Sequence, residues 1–192
     1  HSRICHLLDT FVERDRQYLV LEKIPGKTLR QIVSESGPLS EKAVLALSLQ
    51  MVEILDYLHG QSPPMVHRDF TPDNLIVRDG NYLILIDFNA ATEFMSGATG
   101  TIIGKHHYMP PEQIKGKAQP SSDYYSMAGT LSFLLTGKEP RPLAQVELKA
   151  AGVQISSKFS DLLTAMTKMD MVSRPDLAQI AATLQDCASV RT

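Results

Sequence analysis

The sequence predicts an α+β chain that is mainly helical, with every strand in its first half. Three observations carry this. Short β-prone runs bounded by turn residues occur only before residue 90. A stripe of apolar residues at helical spacing fills residues 40–60, and further helical runs follow residue 120. The 192 residues suffice for one domain with a real core.

Leu7 to Val12 and Tyr18 to Leu21 read as two strands, with Glu13-Arg14-Asp15-Arg16 as the turn. Pro25-Gly26 breaks the pattern, and a short helix is expected from Thr28 to Ser34. Ser40 can cap the next helix, and Gly60 lies just past its end. Val44, Leu47, Met51, Ile54 and Leu58 form its stripe. Leu45, Leu49, Val52 and Leu55 widen it so far that a mostly buried, central helix is expected. Leu75-Ile76-Val77 and Tyr82 to Ile86 are β-prone, and Asp79-Gly80 between them signals a hairpin. Helices are expected from Asp123 to Thr136, from Ser160 to Met169, and from Pro175 to Leu184. The last would carry its proline in the first turn.

Hydrophobic residues make up 43% and charged residues 21%, as in ordinary globular proteins. A net charge of -2 supplies no global field for nucleic acid or an acidic membrane surface. No apolar run is long enough to cross a bilayer, so no membrane contact is expected from this segment. Cys5 and Cys187 form neither a disulfide framework nor a zinc cluster; they suit reduced thiols in a cytoplasmic setting.

Folding at Asp79-Gly80 brings Asn74, before the first strand of that hairpin, close to Asp87, after the second. Opposed residues on such strands lie about 5 Å apart. A carboxylate and a carboxamide oxygen then converge at one open end, and hard cations such as Mg²⁺ take ligands of that kind. Taken alone, the pair also reads as a hairpin with two polar ends.

Asp69 lies five residues before Asn74 in His67-Arg68-Asp69-Phe70-Thr71-Pro72-Asp73-Asn74, an H-R-D-x-x-x-x-N pattern. Asp87-Phe88-Asn89 and Pro110-Pro111-Glu112 follow. The order resembles the eukaryotic-type (Hanks-type) Ser/Thr protein kinases, with H-R-D-x-x-x-x-N, D-F-G and A-P-E. Tyr18 to Gly26 resembles the family's fifth strand and hinge. Ser122-Asp123 resembles the start of its central buried helix. Ser173-Arg174-Pro175 resembles the late arginine that pairs with the glutamate of A-P-E. The catalytic loop lacks the tyrosine-kinase pattern, and Phe-Thr-Pro-Asp-Asn looks like bacterial members.

The resemblance implies a protein-kinase-like C-lobe that uses ATP and Mg²⁺ to phosphorylate Ser or Thr of a protein substrate, and the net charge of -2 adds the expectation of no nucleic-acid partner. Asp69 would accept or orient the proton of the substrate hydroxyl. Asn74 and Asp87 would hold Mg²⁺ on the phosphates. The backbone at Glu22 and Ile24 would meet the adenine edge, with Ile76 in the floor beneath it. Arg68 would contact a phosphorylated activation segment, where Thr92, Ser96, Thr99 and Thr101 are candidate sites. Phe88 belongs to the D-F-G-like turn. Asp123 would tie the catalytic loop to the central helix. Glu112 and Arg174 would form a structural ion pair, and His67 would pack rather than act as a base.

The family's lysine two residues after the catalytic Asp is Thr71 here, and its threonine in G-T-x-x-Y-M is Lys105. A reciprocal swap would keep one cation beside the phosphate. The competing reading makes Lys105 an exposed loop residue and Thr71 a neutral replacement. Asn89 replaces the D-F-G glycine and tolerates left-handed backbone better than most residues. His106-His107 lacks the partners of a zinc site.

A Gly-rich phosphate loop, a V-A-I-K lysine and its glutamate helix are absent from the sequence. His1-Ser2-Arg3-Ile4 resembles the loop just after that helix. Residues 1–22 therefore read as the remnant of a truncated N-lobe and residues 23–192 as the C-lobe. A bare strand edge invites pairing, so residues 1–22 are expected to be poorly ordered or paired between molecules, as in a strand-mediated dimer. The segment alone is expected to be inactive while its intact parent is a kinase. The alternative is a pseudokinase serving as an interaction module. Thr71, Asn89 and the missing motifs favour it, and retained Asp69, Asn74 and Asp87 oppose it.

Overall fold

Arg14 and Asp15 take left-handed backbone, with φ of 49° and 60°, and turn β1 (Leu7–Glu13) back onto β2 (Arg16–Leu21). A two-residue turn of this hand matches the twist of the strands it joins. The register runs from Leu7 opposite Leu21 to Glu13 opposite Arg16. Every residue of both strands is exposed. The computed structural model describes residues 1–87, 106–148 and 152–189.

Ahead of this hairpin the chain is anchored to its own lobe. Leu85 N–H donates to Arg3 O at 2.9 Å, and Cys5 N–H donates to Leu85 O at 3.0 Å. The Arg3 guanidinium bonds Glu53 at 2.6 Å, reaches Gln50 and lies 4.3 Å from the centre of the Tyr82 ring. Residues 3–5 find partners on a strand of the lobe itself, and β1 and β2 pair with each other.

The second sheet has the order β3 (Lys27–Thr28), β4 (Leu75–Arg78), β5 (Tyr82–Leu85), all antiparallel. Two residues carry no alternation, so β3 leaves no pattern in the sequence. Gly26, at φ 141°, brings the chain there: a Cβ at this position would lie 2.3 Å from Val77 O, and only glycine fits. Asp79 and Gly80, with φ of 50° and 84°, form the expected turn of the β4–β5 hairpin. On the outer edge of β5, Leu83 N–H donates to Gln50 Oε1 at 2.9 Å, and Gln50 Nε2 donates to Asn81 O at 2.9 Å.

α1 (Leu29–Ser36) starts from a capping box of Thr28 and Gln31. α2 (Glu41–His59) runs from Ser40 to Gly60, the predicted bounds. It is less buried than its stripe suggests, because Lys42, Ala46, Glu53, Asp56 and Tyr57 leave one face exposed. The helix enclosed on all sides is α4 (Pro120–Thr136), in which every residue from Ser122 to Leu135 is buried. It begins three residues before the predicted start, and Gly137 ends it at φ 67°. The short α3 (Pro111–Ile114) precedes it. α5 (Ser157–Met166) and α6 (Leu177–Ser189) complete the helical part. Pro175 lies outside α6, not in its first turn. Asp176 caps instead, accepting from Gln179 N–H at 2.8 Å while its own N–H donates to Gln179 Oε1 at 3.0 Å.

The core forms where α2 meets α4, α6 and β5, and where α5 closes over α4 and α6. The fold is thus α+β and mainly helical. Among the described residues no helix is long and apolar enough to cross a membrane.

Candidate active site

The fully buried carboxylate of Asp123, in the first turn of α4, organises the loop between α2 and β4. Its Oδ2 accepts from His67 N–H at 2.9 Å, and its Oδ1 accepts from Arg68 N–H at 2.8 Å. His59, in the last turn of α2, brings Nε2 to the same Oδ2 at 2.9 Å. Arg68 has φ 68°, a left-handed conformation that costs a non-glycine residue about 1–3 kcal/mol. Its peptide is gripped from both sides, because Gln113 Nε2 donates to Arg68 O at 2.7 Å. His67 is fully buried, edge-on to Phe70 with ring centroids 5.9 Å apart.

This grip sets the backbone of Asp69. Asn74 Nδ2 donates to the Asp69 carboxylate at 2.7 Å and to Asp69 O at 2.9 Å. Thr71 N–H also donates to Asp69 O at 2.9 Å, and Asn74 N–H to Thr71 O at 3.1 Å. The turn is therefore tight, and Asp69, Thr71 and Asn74 are all buried. From Asn74 the chain enters β4, and the hairpin returns it so that Ile86 N–H donates to Asn74 O at 2.9 Å. Asp87 follows, itself left-handed at φ 62°. The convergence of Asn74 with the exit of β5 is thus present in the backbone. Phe88, Asn89, Lys105 and the candidate phosphosites at 92, 96, 99 and 101 lie outside the described residues.

Glu112 and Arg174 meet in a two-pronged ion pair, Nη1 to Oε1 at 2.6 Å and Nη2 to Oε2 at 3.0 Å. Ser122 Oγ donates to Glu112 Oε1 at 2.8 Å. Burial alone would raise the Glu112 carboxyl, but the Arg174 hydrogen bonds outweigh it and hold it below its usual range. Glu22, Ile24 and Ile76 are each half-buried, and β3 pairing sets Thr28 opposite Ile76. The His6 hydrogen bonds hold the Glu22 carboxyl below its usual range.

The residues that sequence reasoning missed are those that grip the loop from a distance. His59 carries only the generic signal of a histidine in a last helical turn. Gln113 directly follows the Pro-Pro-Glu motif, and that adjacency was its available signal.

Residues 1–184 match the family described as protein kinase domain. This chain belongs to that family. Among similar proteins, serine/threonine-protein kinase B of Synechocystis sp. is 32% identical over 93% of this chain and 34% of its own length. Serine/threonine-protein kinase PknA of Nostoc sp. is 38% identical over 69% of this chain and 25% of its own. This kinase-domain chain thus spans about a third or less of those curated relatives. A crystal structure of Rad53 in complex with AMP-PNP superposes with a TM-score of 0.76 at 24% identity, covering 96% of this chain and 50% of that one. The fold is therefore that of a protein kinase.

Proposed function

We propose that this chain is the catalytic lobe of a serine/threonine protein kinase whose intact form transfers the γ-phosphate of ATP to a protein hydroxyl. The observation that carries the reading is the bond between the Asn74 amide and the Asp69 carboxylate, at the end of the hairpin from which Asp87 emerges. Phosphoryl transfer needs positioning and charge neutralisation more than covalent help, and these oxygen-bearing side chains suit that task. In this reading Asp69 orients the substrate hydroxyl and accepts its proton. Asn74 and Asp87 would hold Mg²⁺. Both Asn74 amide hydrogens are directed to Asp69, which turns the carboxamide oxygen into the available ligand. The cation would neutralise charge on the nucleotide phosphates.

The backbone at Glu22 and Ile24 would bind the adenine edge, with Ile76 beneath it. Support comes from their half-buried state and from Gly26, whose built Cβ would lie 2.8 Å from Ile76 Cγ2. The AMP-PNP complex of Rad53 supports a nucleotide at this fold. Thr71 and Lys105 would share the swapped roles, Arg68 would contact a phosphorylated activation segment, and Phe88 would belong to the D-F-G-like turn. Asp123 and the Glu112–Arg174 pair would hold the framework. Residues 1–22 would belong to the N-terminal lobe and residues 23–192 to the C-lobe. The exposed β1–β2 hairpin supports a strand-mediated contact with a second copy.

The test is transfer from labelled Mg-ATP by the full-length parent beside an Asp69→Asn control. Labelling of protein serine or threonine, lost by a factor of 10² or more in the control, is expected, on the order of general acid–base contributions. Labelling that survives in the control would remove Asp69 from its role. Its absence from both would favour an interaction module.

A further inference from the structure

A charged cluster beside the catalytic loop joins three distant segments. Arg30, in the first turn of α1, directs Nε to both carboxylate oxygens of Asp73, at 2.8 and 2.9 Å. Its Nη1 bonds Glu139, and its Nη2 lies 3.4 Å from Tyr108 Oη. The Tyr108 hydroxyl donates to Glu139 Oε2 at 2.6 Å. The Arg30 guanidinium also lies 4.8 Å from the centre of the Phe133 ring. Burial alone would lower the Arg30 pKa, but the bonds to Glu139 and Asp73 outweigh it, so the cation is permanent. Burial and the bond to Glu139 push the Tyr108 phenol far up, so it stays a neutral donor.

One cation therefore serves two carboxylates, and the cluster keeps a net negative charge. It is also open to solvent: the side chains of Asp73 and Glu139 are 54% and 36% exposed, against 29% for Arg30. Asp73 immediately precedes Asn74, whose amide holds the Asp69 carboxylate. Asp73 lies in the same tight turn as Asp69, so in the kinase reading a protein segment delivering its hydroxyl to Asp69 would run beside this cluster. Its two carboxylates form a fork that a guanidinium fits in two-pronged fashion, and Arg30 already fills it.

We propose that Arg30 sets the charge preference of the protein substrate, by occupying from within the chain an acidic subsite, built from Asp73 and Glu139, that would otherwise select a basic residue beside the acceptor hydroxyl. The inference rests on the kinase reading above. Specificity is a difference of affinities, and an internal cation lowers the affinity for an arginine-bearing segment without touching the reacting groups. With Arg30 removed, two carboxylates stand uncompensated and the subsite opens.

The test uses the full-length parent and serine peptides in which a single arginine is walked through the flanking positions. The readout is the ratio of KM for the neutral peptide to KM for each arginine peptide, in which a general loss of activity cancels. The unmodified protein should show ratios within about threefold of one. Arg30→Gln should raise the ratio about tenfold at one or more positions, or about 1.4 kcal/mol. Adding Asp73→Asn should abolish that gain. No gain at any position in Arg30→Gln, or a tenfold preference already present without it, overturns the proposal.

Should Arg30→Gln fail to fold, the double substitution Asp73→Asn with Glu139→Gln keeps Arg30 and leaves it uncompensated. It should then favour peptides with an acidic flank by about threefold or more, a typical scale for a partly exposed pair. No such shift overturns the idea equally. Fluorescence anisotropy with the same peptides carrying alanine for serine measures the preference without phosphate transfer. If no peptide is phosphorylated, the kinase reading fails, while anisotropy still decides whether Arg30 guards an acidic subsite.

Discussion

The loop between α2 and β4 and the β1–β2 hairpin both contain arginine in left-handed backbone, Arg68 at φ 68° and Arg14 at φ 49°. The two are held in opposite ways. Arg14 sits in a turn that the strand twist itself favours, with every neighbouring strand residue exposed. Arg68 has no such local reason. Its amide is taken by buried Asp123 and its carbonyl by Gln113. A hydrogen bond to a charged group contributes about 1.5–3 kcal/mol, enough to offset the local strain. At Arg68, beside Asp69, backbone strain thus persists because distant side chains over-determine it.

The sharpest way to break the comparison is Asp123→Ala. It strands two amides and the His59 imidazole in the interior, with an expected cost of about 3–5 kcal/mol. Urea unfolding of the chain measures this, and a loss below about 1 kcal/mol would show that the loop holds itself.

A smaller effect is expected from pH at the Glu112–Arg174 pair. The folded Glu112 carboxyl lies below its ordinary value of 4.5. Its contribution is therefore complete above the unfolded value and disappears as pH falls through the folded one. Stability should begin to drop as pH falls below the ordinary carboxylate value of 4.5 towards the lower folded one, and Glu112→Gln should flatten that drop. An unchanged slope in the variant would assign the acid sensitivity to other carboxylates.

The smallest effect belongs to the hairpin. Leu8→Lys should change monomer stability by no more than about 0.5 kcal/mol, because Leu8 is 64% exposed. Sedimentation of the same variant should show weaker self-association than the unmodified chain. A cost above about 2 kcal/mol in the monomer would mean that the hairpin is packed.

The contrast also explains what was legible in the sequence. Both hairpins and the cap at Ser40 rest on neighbours within a few residues, so local patterns reveal them, whereas Thr28, expected as the first residue of α1, is its cap. Asp176 with Gln179 is a capping signal of the same local kind, which the adjacent proline obscured. Arg30 meets Asp73 across 43 residues and Glu139 across 109, and His59 meets Asp123 across 64. Such pairs leave no periodicity, so only the folded chain reveals them. The exposed face of α2 is harder to read: Leu49 and Val52, counted in the widened stripe, are only half-buried and border exposed Lys42, Glu53 and Asp56.

Gln50 has a consequence beyond its hydrogen bonds to Leu83 and Asn81. Together with residues 3–5 it terminates the outer border of β5, one side chain and one short stretch of backbone standing where another strand would lie. A ribbon finished in this way has no template left for growth on that side. Crowded copies of the chain therefore find no seam through which to zip onto the strand that leads to Asp87.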